Sequence, residues 1–383
     1  MARFEIMKNR KQQSKTQGDL RIAPLDSSPL LLNKKRFLRL LTDANAEKGL
    51  ASLKKKTAAI KRLVLSSNNG DNLFDAGANG NSISVRRDIL ASELDQILEA
   101  RTVERARYYL ERLERGVKQV RTSAINDINL HRWKEHEEVL TDSLWVLPKR
   151  DTAGAHLGWY WGNFIPQIPR QLMLRYTKKG DWVLDTFLGS GTTLIECRRL
   201  GRNGIGIELN REVARKAREL IKQEDNPHNA RTEVVRGDSR TIDIPGALRR
   251  FGARQAQLVI MHPPYHDIIN FSDDDKDLST ARGAVEFLKM FGETLDNVTP
   301  ALERGRYLAL VIGDKYAKSE WVPLGFECMN EVLKRGYSLR SIVVKNFEET
   351  RAKREQKHLW RYRALAGGFY IFKHEYIFLF RKK

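Results

Sequence analysis

Only two cysteines, Cys197 and Cys328, occur in 383 residues. That is too few for a disulfide framework or a thiolate zinc site, so the fold is expected to need no cross-links and to suit a reducing compartment. Long apolar runs are missing as well. No stretch approaches the ~18 residues of a membrane span, and the start, "MARFEIMKNRKQQSK", holds no apolar segment suited to a secretory signal. A soluble, cytoplasmic protein that engages no membrane is the expectation. Acidic residues are outnumbered, 48 Asp and Glu against 68 Lys and Arg, and the resulting charge of +20 bears on partners rather than on fold. A polyanion is the simplest partner. What is present is ample apolar material, 41% of the chain, which allows a large core and excludes a disordered tail protein.

Residues 1–62 hold 16 Lys or Arg against 5 Asp or Glu, in clusters such as "LLNKKRFLRLL" whose interleaved apolar residues predict short helices. The stretch 66–82, "SSNNGDNLFDAGANGNS", is rich in Gly, Asn and Ser and reads as a loop or linker. Apolar residues recur at helical spacing over 84–121, predicting one long helix or two. From 181 onward the texture changes to short β-rich runs: "WVLDTF", "GIGIEL", "TEVVRG", "QLVIMH", "RYLALVIG", "YSLRSIVVKN" and "HEYIFLFRK". These predict an α/β domain over 151–383 built on a mostly parallel seven-stranded sheet with helices on both faces and an antiparallel last strand. Residues 1–150 form a basic, mainly helical region. No internal repeat is visible.

Open α/β sheets bind ligands beyond the carboxyl ends of their strands. At such an end stands "VLDTFLGSGTTLIECRRLGRNGIGIELN", 183–210. Gly189 and Gly191 permit a tight turn and a close backbone approach, and Glu208 closes the next strand, where a carboxylate can accept bonds from ribose hydroxyls. A phosphate-binding loop fits poorly because "GSGTT" lacks the lysine that reaches phosphates, and Leu194 breaks the G-x-G-x-x-G spacing of a dinucleotide site. A ribose site without pyrophosphate remains, which points to S-adenosylmethionine.

A second motif is "LVIMHPPYHDIINFS", in which a strand runs straight into His262, Pro263, Pro264 and Tyr265; two prolines make that turn extended and rigid. Together with 187–193, this resembles the amino-group DNA methyltransferases, which carry an F-x-G-x-G loop and a (D/N/S)-P-P-(Y/F/W) loop. The resemblance spans 161–383. It implies a Rossmann-like methyltransferase sheet, S-adenosylmethionine as cofactor, and methyl transfer to adenine N6 or cytosine N4 of a base swung out of the duplex. It implies contacts to the methionine end of the cofactor from Asn163, Phe164 and Ile165, and from Asp185, Phe187, Gly189, Gly191, Thr192 and Thr193 around the first turn. Glu208 would take the ribose and Asp238 the adenine amino group. Double-stranded DNA is the implied partner. A homodimer and an accompanying restriction-modification nuclease are compatible with the sequence.

His262 departs from the pattern, since the family carries Asp, Asn or Ser there. A neutral imidazole can still accept one N–H bond from a target amine, with the carbonyl of Pro263 accepting another and Tyr265 stacking on the base. A His262/His266 metal pair is disfavoured because the prolines prevent the helix that would align them. The acidic run 272–279 reads as a solvated, mobile segment rather than a metal loop, so no metal is expected. Asp314, after the fifth strand, is as readily structural as functional. By subtraction, residues 1–150 are expected to clamp or read DNA, helped by the basic stretch 351–363. The rival readings are an RNA amino methyltransferase and a nucleic-acid-binding protein with a vestigial pocket.

Overall fold

The computed structural model describes residues 29–66, 81–317, 320–346 and 357–383. Most of the expected linker, and residues 351–356 of the basic stretch, lie outside these. The chain divides into two compact units, Met1–Val120 with His131–Glu135, and Arg121–Leu130 with His136–Lys383. The division thus falls upstream of residue 150.

In the first unit, strands β1 (Pro29–Asn33) and β2 (Ser82–Arg86) pair antiparallel, and four helices follow their amphipathic patterns: α1 (Lys34–Asn45), α2 (Leu50–Ser66), α3 (Arg87–Glu99) and α4 (Val103–Lys118). The helical periodicity over 84–121 therefore resolves into two helices. Asn33 caps α1 by accepting from Arg36 N, and Thr102 caps α4 by accepting from Arg105 N. Phe37, Leu41, Leu53, Ile60, Leu94, Ile97 and Leu110 form its core.

The second unit is built on one eight-stranded sheet. The seven expected strands are all present: β4 (Trp182–Asp185), β5 (Asn203–Glu208), β6 (Thr232–Arg236), β7 (Ala256–Met261), β8 (Leu302–Ile312), β11 (Tyr337–Asn346) and β12 (His374–Lys382). An outer two-residue strand, β3 (Leu144–Trp145), adds parallel to β11. The order is β3-β11-β12-β8-β7-β4-β5-β6, and β12 pairs antiparallel with both neighbours while the other pairs are parallel. Two short strands, β9 (Lys315–Ala317) and β10 (Glu320–Val322), form a separate hairpin.

Side chains alternate across the sheet, so it is buried on both faces. Leu308, Leu310 and Ile312 face α8 (Ile244–Arg250), α9 (Ala284–Val298) and α10 (Leu324–Leu333). Tyr307, Ala309 and Val311 face α5 (Gln167–Tyr176), α6 (Thr192–Leu200) and α7 (Arg211–Gln223). A last helix, α11 (Lys357–Gly367), lies in the connection from β11 to β12. Among the described residues no helix is long and apolar enough to cross a membrane.

The chain moves outward from β4 to β5 and β6, then returns to place β7 on the other side of β4. Strand order reverses there, and the connections after β4 and β7 part to leave a crevice. Its floor needs small residues: a Cβ at Gly206 of β5 would lie 2.5 Å from Cδ1 and 2.6 Å from Cδ2 of buried Leu188, whereas one at Gly283 would meet nothing within 4 Å. Gly206→Ala should therefore cost about 1–3 kcal/mol through overpacking, and Gly283→Ala should stay within about 0.5 kcal/mol of the parent. Urea unfolding monitored by tryptophan fluorescence measures both, and equal midpoints for the two variants would contradict the packing described.

Candidate active site

The turn between β4 and α6 is held from three sides. Gly189 and Gly191 have positive φ, 53° and 90°, a region that favours glycine. Leu188 N donates to Ile207 O at 2.9 Å, and Gly189 N donates to Glu208 Oε2 at 2.8 Å. The other Glu208 oxygen accepts from Asn210 N at 2.8 Å. Each oxygen thus has one backbone donor and capacity for another. Burial pushes Glu208 up to about 7, against those two backbone donors, which lower it.

Asp185 is wholly buried behind the turn. Its carboxylate accepts from Phe187 N at 3.0 Å and from Thr193 Oγ1 at 2.5 Å, and burial pushes it up to about 6. Thr193 is thereby occupied in tying α6 to β4. The helix cap is Gly191, with no side-chain cap bond, so neither Thr192 nor Thr193 caps it. Asp185, Gly191 and Thr193 shape the turn without lining the space above it.

That space is a cavity of about 940 Å³. Asn163, Phe164, Ile165, Phe187, Gly189, Thr192, Glu208 and Asp238 line it, and so do His262, Pro263, Pro264 and Tyr265. Asn163 is clamped between Ser190 Oγ, to which its amide donates at 2.5 Å, and Arg150 Nη1, from which it accepts at 2.7 Å. The same guanidinium donates to Phe164 O at 3.0 Å. Asp238 is already engaged by Arg240, whose backbone N donates at 2.9 Å and whose Nη2 donates at 2.8 Å. An adenine amino group there would share the carboxylate with that guanidinium.

Sequence reading missed several wall residues. Tyr160 lies over Gly189, where a Cβ would come within 3.0 Å of its ring, and stacks on Phe271 at 5.6 Å between centroids. Residues 273–276 of the acidic run are exposed, as expected, while the end of the run is tied down. Asp277 caps Ser279 N at 2.8 Å and accepts from Ser272 Oγ at 2.8 Å, so the loop is tied by its own side chains, and Leu278 and Ser279 are buried. Asp314 accepts from Trp321 Nε1, Gly325 N and Tyr376 Oη at 3.0, 2.9 and 3.2 Å, a bracing role at the cavity edge.

On the opposite wall, His262 packs its ring 4.9 Å from that of Phe164. Burial holds its imidazole down at about 4, so the ring is neutral through the physiological range. Tyr265 Oη lies 3.3 Å from His262 Nε2 and donates to Glu375 Oε2 at 2.8 Å. His266 cannot join His262 on a metal, because its Nε2 meets Ala281 O at 2.8 Å and its Nδ1 meets Lys315 Nζ at 2.9 Å. Among the described residues no cluster of metal-ligating side chains occurs.

The fit to S-adenosylmethionine rests on donor chemistry: a buried acid with spare acceptor capacity beneath a glycine turn, walled by aromatic rings, suits a ribose and a flat base. A family profile described as DNA methylase, for N6 and N4 methylation, matches residues 87–219. The type II methyltransferase M.MjaII of Methanocaldococcus jannaschii is 45% identical over 51 residues, 13% of this chain and 10% of that protein. M.Cfr9I of Citrobacter freundii is 37% identical over 94 residues, 24% and 28% of the two chains. M.HpaI of Haemophilus parainfluenzae is 43% identical over 75 residues, 20% and 24%. The chain thus spans less than a third of the length of these relatives. Among solved structures, TrmN from Thermus thermophilus matches with a TM-score of 0.36 and 18% identity, over 57% of this chain and 49% of that one. Over these partial matches the chain is similar to the amino-group methyltransferases among the DNA methylases.

Proposed function

We propose that the protein methylates an exocyclic amino nitrogen, adenine N6 or cytosine N4, of a base swung out of double-stranded DNA. The observation that carries this reading is the shared cavity, in which the glycine turn with Glu208 and the loop 262–265 face one space. When bound, the cofactor supplies an electrophilic methyl group on a positively charged sulfur. Glu208 would hold the ribose hydroxyls and Asp238 the adenine edge, while Asn163, Phe164 and Ile165 bound the methionine end. The amine's lone pair is delocalised into its ring, and acceptors on its two N–H groups draw that pair back onto nitrogen. His262 and the Pro263 carbonyl are those acceptors. A charged His262 could not accept and would oppose the sulfonium; burial prevents that charge, and the acceleration comes from positioning and electrostatics.

Residues 1–150 are the proposed DNA clamp. On α1 and α2, Lys35, Arg36, Arg39, Lys55 and Arg62 are exposed. The helix α11 adds exposed Arg361, Tyr362 and Arg363, with Arg363 over the ring of Trp360 at 5.3 Å. Cations beside aromatic faces suit a sugar–phosphate backbone and an unstacked base.

The direct test is labelled methyl transfer to duplex DNA and, in parallel, to structured RNA. Transfer only to RNA would replace the substrate, and tight cofactor binding without turnover on either would remove the reading. His262→Ala should bind cofactor normally and lose roughly 10²-fold or more in single-turnover rate. With cofactor and DNA saturating, the parent should show no acid loss from His262 until pH nears 4, and His262→Asn should lack that limb because its amide oxygen accepts without titrating.

Cofactor affinity should instead respond near neutrality. Glu208 is raised to about 7, so below that pH it is protonated and a poorer ribose acceptor. Affinity, measured by calorimetry, should weaken as pH falls through 7 in the parent and stay flat in Glu208→Gln. A parallel slope in both would remove Glu208 from the ribose.

Replacing Lys35, Arg36 and Arg39 together by Gln should reduce the slope of log affinity against log salt by up to roughly 0.9 for each lost phosphate contact. An unchanged slope would turn this face away from DNA.

A further inference from the structure

Two strands outside both motifs bring a charged pair to the back of the catalytic loop. Lys345 of β11 and Glu375 of β12 stand directly opposite each other in the antiparallel register. Their side chains are 6% and 5% exposed, and Lys345 Nζ lies 3.1 Å from Glu375 Oε1. The second oxygen of Glu375 accepts the Tyr265 hydroxyl at 2.8 Å, and the Tyr265 oxygen lies 3.3 Å from His262 Nε2. The four groups thus form one line, ending on the residue that replaces the family's Asp, Asn or Ser.

From this line we infer that Glu375 is a positioning residue, which acts through Tyr265 to place the single proton of neutral His262 on Nε2 and leave Nδ1 as the acceptor for the target amine. The inference rests on the methyl-transfer reading above.

Proton counting along the line supports it. A carboxylate paired with an ammonium has no hydrogen to give, so the one phenolic hydrogen of Tyr265 points to Glu375. The phenolic oxygen can then only accept, and the group facing it, His262 Nε2, must be the donor. A neutral imidazole has one N–H, so Nδ1 is left with its lone pair. The opposite arrangement, with Tyr265 donating to Nε2, would set a phenolic lone pair against a carboxylate oxygen at 2.8 Å unless Glu375 took a proton and gave up its pairing with Lys345. The ion pair also keeps the line near electrical neutrality: the charge of Glu375 favours a cationic His262, that of Lys345 opposes it, and burial outweighs both. Burial therefore makes the ring neutral, and the line decides which nitrogen is bare.

Nitrogen-15 spectra of the full chain labelled at histidine report the tautomer without cofactor or DNA, with His262→Asn identifying the signals. The parent should show neutral His262 protonated at Nε2. In Tyr265→Phe the bias is removed, and the form protonated at Nδ1 should become populated. Glu375→Gln should do the same, because an amide can donate to the phenol as well as accept from it. Should Glu375→Gln fail to fold because Lys345 is left buried without its carboxylate, the double variant Glu375→Gln with Lys345→Met takes its place; Tyr265→Phe leaves the ion pair intact. Single-turnover methylation at saturating cofactor should fall in proportion to the lost Nε2–H population, about twofold where the two forms are equal, with cofactor affinity unchanged. A parent protonated at Nδ1, or a tautomer untouched by both variants, overturns the inference even if the protein methylates DNA as proposed. A parent with the expected tautomer that methylates no nucleic acid overturns the function and leaves the hydrogen-bond line standing.

Discussion

The bond from Gly189 N to Glu208 sets the height of the glycine turn above the sheet, and most of the cavity depends on that height. With the turn held to β5, Tyr160 can lie on Gly189 and stack on Phe271, which brings the segments 158–165 and 266–280 together as walls. The same carboxylate has a second function available because each of its oxygens still has a free lone pair. Under the proposed function, structure and binding would draw on one buried acid, and a substitution there would change the shape of the turn as well as the chemistry it offers.

Burial pushes the site's ionisable groups in one direction, toward neutrality. Asp185 rises to about 6 and Glu208 to about 7, while His262 falls to about 4. For stability the signs differ. The two carboxyls hold protons more firmly folded than unfolded, so their contribution weakens as pH rises through 6 and 7. His262 is protonated more readily unfolded, so its contribution weakens as pH falls below the ordinary imidazole value of about 6.5. Glu208 thus sits where a small change in its surroundings near neutral pH changes its charge. If Glu208 holds the ribose as proposed, binding favours its ionised form, so cofactor binding and proton release would be coupled, and that coupling is reciprocal.

Both motifs were legible because each is local: glycines at a strand end and two prolines after another strand leave few backbone alternatives. The seven strands and the antiparallel last one were legible for the same reason, as apolar runs separated by helical or glycine-rich stretches. What escaped is what arises only on folding. Asp238 reads as a free acid until Arg240, two residues on, turns back onto it. The acidic run 272–279 reads as solvated, which holds for 273–276, but the burial of Leu278 and Ser279 and the bonds that Asp277 accepts appear only on folding. The strand at 144–145 is two residues long, below any periodic signal. Lys345 and Glu375 each break an apolar strand, "SIVVKN" and "HEYIFLF", which was a visible anomaly, but only the register places one opposite the other.

Under the proposed function, that register would also let a histidine stand where the resembled family has Asp, Asn or Ser. An Asn or Asp there offers an acceptor oxygen in the loop itself. Here the carboxylate is moved to β12, and the loop keeps a ring that burial alone would leave neutral but with its proton on either nitrogen. For the ring to accept from an amine as proposed, one tautomer must be chosen, and the phenol between His262 and Glu375 is the group placed to transmit that choice. The antiparallel strand is what allows it: running against β11, β12 sets Glu375 beside Lys345 at the edge of the cavity, so the acid is neutralised on its far side while its near oxygen remains free to receive Tyr265. The proposed acceptor for the target amine would therefore be set by the sheet as much as by the loop.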